Sequence, residues 1–393
     1  MNYQLNSLEK SPTVQTLLEK NRPASYENFN PKVKTTYPSI ARQTVRQSPN
    51  IAKSGDIFGA SMDFKIPNDG RLSKMFIKLD VACTTNGSGV ATYSYFGAQL
   101  PSVAVIKHKS KIVANSDKTH MLQMIKNSEA SKASIITDKT KLVLANSETA
   151  VIHTVYIPLD FWFGQKSEMY LDTRIVQDLE LHVEFDTKAN MLVNAGFTAH
   201  TFSDLSLVCT YVNLDPFYND SLNKSLYPSA KPLSVYGYDN VRELVKQLTY
   251  SSGTTLDFTI VPDVKFLASS LHASAYNRNT GLDMIVSKVK LTSSNSPIFD
   301  LFAGESVLSN GFGVGKTDAD QNFSIFHGVD KDMSYFSGGI NWDKITSPVL
   351  TVTLDTSSGA TNGDVIDVTI NHTLITTFVI NPATGAIDIG GTN

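Results

Sequence analysis

The sequence predicts an all-β chain, two similar sandwich domains in tandem behind a short arm, and two stretches carry that prediction. In the first, residues 155–187, Leu179, Leu181, Val183 and Phe185 alternate with Asp178, Glu180, His182 and Glu184. A two-residue period sets the apolar side chains on one face of a strand and the polar ones on the other, the pattern of a half-buried strand. The second stretch, residues 340–356, repeats the design. Leu350, Val352 and Leu354 share one face, Val349, Thr351 and Thr353 the other, and the stretch closes on Asp355-Thr356 as the first closes on Asp186-Thr187. Leu181, Val183 and Phe185 then align with Leu350, Val352 and Leu354, and Cys209-Thr210-Tyr211-Val212 is echoed by Thr376-Thr377-Phe378-Val379. A repeat of roughly 170 residues is far longer than the about 20–50 of a solenoid unit, so it marks two domains and not an array.

Residues 1–53 read as a basic arm. Eight cations (Lys10, Lys20, Arg22, Lys32, Lys34, Arg42, Arg46, Lys53) stand against Glu9, Glu19 and Glu27, a local net of +5. Ser11-Pro12 ahead of Thr13–Lys20 predicts a capped short helix with proline at its first position. Pro23, Pro31, Pro38 and Pro49 then prevent any long element. The arm keeps Leu17, Leu18, Tyr26, Phe29 and Tyr37, which a solvated tail would lack, so it is expected to order against a neighbour or an anionic surface.

Alternation begins at Asp56 and defines a first domain over residues 54–215. Strands are expected at 56–64, 76–83, 103–107, 111–113, 142–144, 151–159, 179–185 and 205–214, with one short helix at Lys118–Lys126. About eight strands is the number of a jelly roll. Pro158 cannot donate to a ladder and belongs at a strand end, and Phe161-Trp162-Phe163 should plug a corner of the core. Residues 216–235 are rich in turn formers and read as a linker. The second jelly roll, 236–393, has strands at 235–248, 256–260, 284–291, 297–302, 349–354, 365–370 and 374–380, and Val289–Phe302 repeats the strand, turn and apolar segment of Val105–Leu122. Residues 303–339 are a long Gly, Ser and Asp stretch with few strand signals, of the kind used as a packing surface.

At 393 residues the chain can bury full cores without metals or disulfides. Cys83 and Cys209 lie in separate apolar strands and are expected as buried thiols of a protein folded in a reducing compartment. Without a signal region or a long apolar run, a soluble, non-exported chain is expected. A net charge of -3 gives no general attraction to nucleic acid, and no sequence-specific nucleic-acid partner is expected. Only 18% of residues are charged, which suits β-rich surfaces that end against other subunits.

No catalytic, cofactor or metal site is predicted. Gly311–Thr317 resembles a phosphate-binding loop, but Asn310 replaces its first glycine and no amphipathic helix follows. The eight histidines show no zinc spacing. Asp160, Asp172, Asp186 and Asp355 lie at strand ends, where solvated edge residues explain them better than a pair of glycosidase acids.

Val155-Tyr156-Ile157-Pro158-Leu159-Asp160-Phe161-Trp162-Phe163 is similar to the Ile-Pro-Leu-x-Phe-x-Phe segment of the double jelly-roll major capsid proteins, the lineage of adenovirus hexon, tailless membrane-containing phages and large nucleocytoplasmic DNA viruses. Ile175–Phe185 resembles the strand that follows it. Val105–Leu122 resembles the first-roll strand, turn and helix, and Gly339–Ile345 the Leu-Asn-Phe-Ser-x-Ile segment of the second roll. The resemblance spans about residues 55–390. It implies pseudo-hexagonal homotrimers with both rolls perpendicular to an icosahedral shell, and penton and minor capsid proteins as further partners. It also implies a virion protein assembled in the host cytoplasm, with an arm that touches neighbours or an internal membrane through Lys10, Leu17, Leu18, Lys20, Arg22, Lys32 and Lys34. Short loops and modest length point to a small tailless phage. The competing expectation is a two-domain β-sandwich that binds carbohydrate or forms a virion spike; a lectin would need an exposed aromatic cleft, and Phe161–Phe163 is the stretch that could supply one.

Overall fold

The computed structural model describes residues 40–393 apart from 52–54, 86–90, 94, 128–129, 165–169, 189–190, 192–196, 215–222, 224–231, 252–255, 263–266, 278, 280–281, 310–322, 328–338, 356–359 and 391–393. The first half runs β1 (Ile40–Gln47), β2 (Ser61–Lys65), β3 (Arg71–Thr85), β4 (Ala91–Tyr93), α1 (Phe96–Gln99), β5 (Pro101–His108), β6 (Lys111–Asp117), α2 (Lys118–Asn127), α3 (Ala130–Thr140), β7 (Leu142–Leu144), β8 (Val151–Leu159), β9 (Leu171–Asp172), β10 (Leu179–Phe185) and β11 (Phe197–Leu214). Eight of these strands make two antiparallel four-stranded paths, β1-β11-β3-β8 and β2-β10-β5-β6. Apart from the β5–β6 hairpin, successive strands of these eight alternate between the sheets, which is jelly-roll topology. Short β9 extends the first path on β3, and β4 and β7 form a separate ribbon.

The second half runs β12 (Leu233–Thr249), β13 (Leu256–Ile260), β14 (Leu267–Asn277), β15 (Leu282–Met284), β16 (Val286–Ser293), β17 (Ser296–Phe302), α4 (Ala303–Ser309), β18 (Phe323–Phe326), β19 (Ile340–Asn341), β20 (Pro348–Leu354), β21 (Val365–Asn381) and β22 (Ala386–Gly390). Its sheets are β12-β21-β14, with β18 on β14, and β13-β20-β16-β17. Strand for strand this is the order of the first half. The match extends to local geometry. The β5–β6 and β16–β17 hairpins both turn on two residues of positive φ, Lys109 and Ser110 in one, Ser294 and Asn295 in the other, the geometry of a type I′ turn. Both then carry a bulge at the same place, with Val113 the extra residue in the first and Ile298 in the second. The expected likeness in layout of Val105–Leu122 and Val289–Phe302 therefore holds through the turn and the bulge, although the apolar segment of the second copy is strand β17 and the helix follows it.

Each roll fills the space between its sheets with the inward half of its alternation. Leu179, Leu181, Val183 and Phe185 of β10 are all buried, as are Leu350, Val352 and Leu354 of β20. The expected faces are the observed ones. Pro158 is tolerated in β8 because β8 is the edge of its path and needs a ladder partner only in β3.

Three expectations change. Residues 40–47, assigned to the arm, form β1 and pair along their whole length with β11, from Ile40 opposite Leu214 to Gln47 opposite Leu207. The first roll thus begins at Ile40 and not at residue 54: Pro38 and Pro49 bracket a strand instead of preventing one. β14 was not expected, because Leu267–Asn277 is built of Ala, Ser and His with no alternation; it is central, flanked by β21 on one side and by β15, β18 and β19 on the other, with both faces buried along much of its length. The first roll also has two more helices than the single one expected, α1 and α3.

Candidate assembly surfaces

The two rolls meet in a seam built from the corner after β8 and the far end of β21. Gly164 N–H donates to the Phe161 carbonyl at 2.8 Å, and this tight turn folds three consecutive aromatics inward. Phe161 and Phe163 stack at 5.9 Å between centroids, and Trp162 meets Phe163 edge-on at 5.5 Å. The outer face of Trp162 is covered by the other roll: Phe378 of β21 lies on it at 4.4 Å and 14°. Phe378, Ile380 and Ile387 belong to the hydrophobic cluster of the first roll, although their strands belong to the second. Such a stacked pair contributes about 0.5–1.5 kcal/mol beyond its burial.

Gly385, in the turn between β21 and β22, has φ +65, and a Cβ there would lie 2.7 Å from the Ile175 carbonyl. Only glycine lets this turn approach the first roll so closely. Nearby, Lys111 of β6 pairs with Asp388 of β22. His108, buried at the end of β5, is held below the usual histidine range by that burial and by Lys109, against the opposing pull of Asp178 and Asp388.

The polar groups singled out in the sequence have structural partners. Asp160 accepts from His120 at 3.1 Å, Asp172 from Arg174 in a two-point contact with both distances 3.1 Å, and Asp186 pairs with Lys118. Asp172 and Asp186 are each tied to a cation and Asp160 to a histidine ring, not to one another as acid and base. His182 bridges Asp63 and Glu184 on the outer face of its sheet. Among the described residues no group of three His, Cys, Asp or Glu is placed to hold a metal. Cys83 and Cys209 are free and buried, and burial pushes each thiol up to about 12. Among the described residues no helix is long and apolar enough to cross a membrane. Lys10, Leu17, Leu18, Lys20, Arg22, Lys32 and Lys34 lie outside the described residues, as do Gly311–Thr317.

Outward-facing apolar residues mark further surfaces. β17 exposes Ile298 and Phe302, and the start of β8 exposes Val151 and Ile152. Between Ile298 and Phe302, Asp300 pairs with Lys288 at 2.8 Å, and the same ammonium sits 4.9 Å from the Phe302 ring centroid. Sequence reasoning missed the seam because its halves, Trp162 and Phe378, lie more than two hundred positions apart; the only signal was an aromatic at the echoed position, Tyr211 in one copy and Phe378 in the other.

No protein-family model and no curated protein matches the sequence. Solved structures do. The PBCV-1 virus capsid matches with TM-score 0.72 at 14% identity, covering 93% of this chain and 100% of that one. The Faustovirus major capsid protein matches with TM-score 0.67 at 8% identity over 96% and 98% of the two chains. The mavirus major capsid protein matches with TM-score 0.56 at 8% identity over 88% and 90%. The likeness spans both rolls together, so this chain has the double jelly-roll fold found in viral major capsid proteins.

Proposed function

We propose that the protein is a major capsid protein that forms pseudo-hexagonal homotrimers and self-assembles into an icosahedral shell. The observation that carries this reading is the duplication. Two rolls of one strand order, locked by a hydrophobic seam, offer two near-equivalent walls per chain, and three chains offer six. Closed symmetry of heterologous contacts turns such walls into a tile. The full-length match to several capsid proteins at TM-scores above 0.5 supports the same role. The burial of Phe161, Trp162 and Phe163 removes the aromatic platform that a carbohydrate-binding alternative would use.

In this reading the arm lies below the shell, where Lys10, Lys20, Arg22, Lys32 and Lys34 meet neighbouring subunits or anionic lipid, each cation near such a surface contributing roughly 1 kcal/mol. Leu17 and Leu18 supply apolar contact. Penton and minor capsid proteins complete the particle, which assembles in the host cytoplasm. The short loops and length fit a small tailless phage with an internal membrane. Mass measurement and negative-stain imaging of the purified chain test the proposal. Trimers with a hexagonal outline, or shells, are the expected result; a stable monomer of 43.0 kDa overturns it.

A further inference from the structure

We infer that the exposed edge of β17 is the surface on which a second copy of this chain docks, through the β1–β11 edge of its first roll. The inference rests on the capsid reading and deepens it by naming the residues of the contact between subunits.

The argument starts from one strand seen twice. β6 and β17 follow the same type of turn, carry the same bulge and lead into a helix in each roll. Their environments differ. In β6 Val113, Ala114, Ser116 and Asp117 are buried, whereas no residue of β17 is. The contrast is sharpest at the bulge, where Val113 is 1% exposed and its counterpart Ile298 is 43% exposed; Phe302, at the end of β17, is 54% exposed. A large part of what covers β6 is the other roll: β12 and β22 pack on it, Asp388 pairs with its Lys111, and Val113 shares a cluster with Phe378, Ile380 and Ile387.

So the chain already contains one copy of the contact, made by the β12–β21 side of one roll on the β6 edge of the other. The second roll presents the same edge uncovered, with apolar side chains that an ordinary solvated edge strand would not carry. The side that matches it is β1–β11, the counterpart of β12–β21. The chain's own first roll has its β6 turned to the seam, so the β1–β11 side must come from another copy. That side is available: Arg42, Gln43, Thr44 and Arg46 of β1 are exposed. A contact of unlike surfaces repeated from chain to chain closes into a ring when three copies complete the rotation, as a trimer requires.

The test compares the wild-type chain with Ile298→Asp and Phe302→Asp by sedimentation equilibrium, with thermal midpoints as a control on folding. Wild type is expected as a trimer, and the variants at the single-chain mass of 43.0 kDa with a cooperative thermal transition retained. A second measurement mixes chains bearing Ile298→Cys with chains bearing Gln43→Cys and treats them with a short bis-maleimide; the native thiols are buried, so mixed cross-linked dimers are expected and neither chain alone should form them. Variants that stay trimeric, or a mixture that gives no cross-link, overturn this docking surface and leave the capsid reading standing. A wild-type monomer overturns both.

Discussion

At the scale of single residues, the second roll hides polar groups that respond to acid. His327 N–H donates to the Ser269 carbonyl at 2.8 Å, and burial, aided by the proximity of His372, holds its ring down at about 4 against an ordinary 6.5. The folded chain therefore favours the neutral ring. An unfolded chain takes up the proton near pH 6.5, so the stability tied to the neutral ring is complete above that pH and is lost as pH falls toward about 4. Thermal midpoints measured from pH 8 to pH 4 should fall more gently for His327→Gln than for wild type; parallel curves would show that this ring is not a source of acid sensitivity. The histidine's role could not be read in the sequence, because its neighbours come from strands far apart in the chain.

At the scale of elements, β1 shows where pattern reading succeeds and where it fails. Strands with one wet face were legible: β10 and β20 announce themselves through strict alternation, and β13 was expected at its observed limits. β1 was not, since an edge strand with mostly exposed side chains has little to alternate, and among its described side chains only Val45 packs against the core. β14 was missed for the opposite reason, its small and polar residues being covered on both faces. α3 is rich in Ser, Thr and Ile, poor helix formers, and its helicity comes from packing near β8 and not from propensity. The placement of β1 alters how the arm should be tested. Deleting residues 1–39 is expected to leave trimers intact and to abolish shells. Deleting 1–50 also strips β1 from β11, opens a sheet edge and should lower the thermal midpoint by several degrees. Normal particles from the shorter deletion would remove the arm from the assembly scheme.

At the scale of the whole molecule, the rolls are two by topology and one by packing. Because Phe378, Ile380 and Ile387 lie in the first core, neither roll can lose its structure without exposing part of the other. Calorimetry should record one cooperative transition, and Phe378→Ala, which removes the ring stacked on Trp162, should lower it by about 3–5 kcal/mol, the usual cost of deleting a buried aromatic. Two resolved wild-type transitions would mean that the seam does not couple the rolls. The double fold was legible from the repeat, but the seam was not, since alternation reports which face of a strand is buried and never against what. The seam also bears on the order of synthesis. Chains usually fold from the N-terminus as they leave the ribosome, yet here the first roll lacks its last core residues until Ile387 has emerged. A half-made chain keeps Trp162 uncovered, and its β6 wall is finished only together with the rest of the molecule, so in the proposed shell a truncated product would present an unfinished wall.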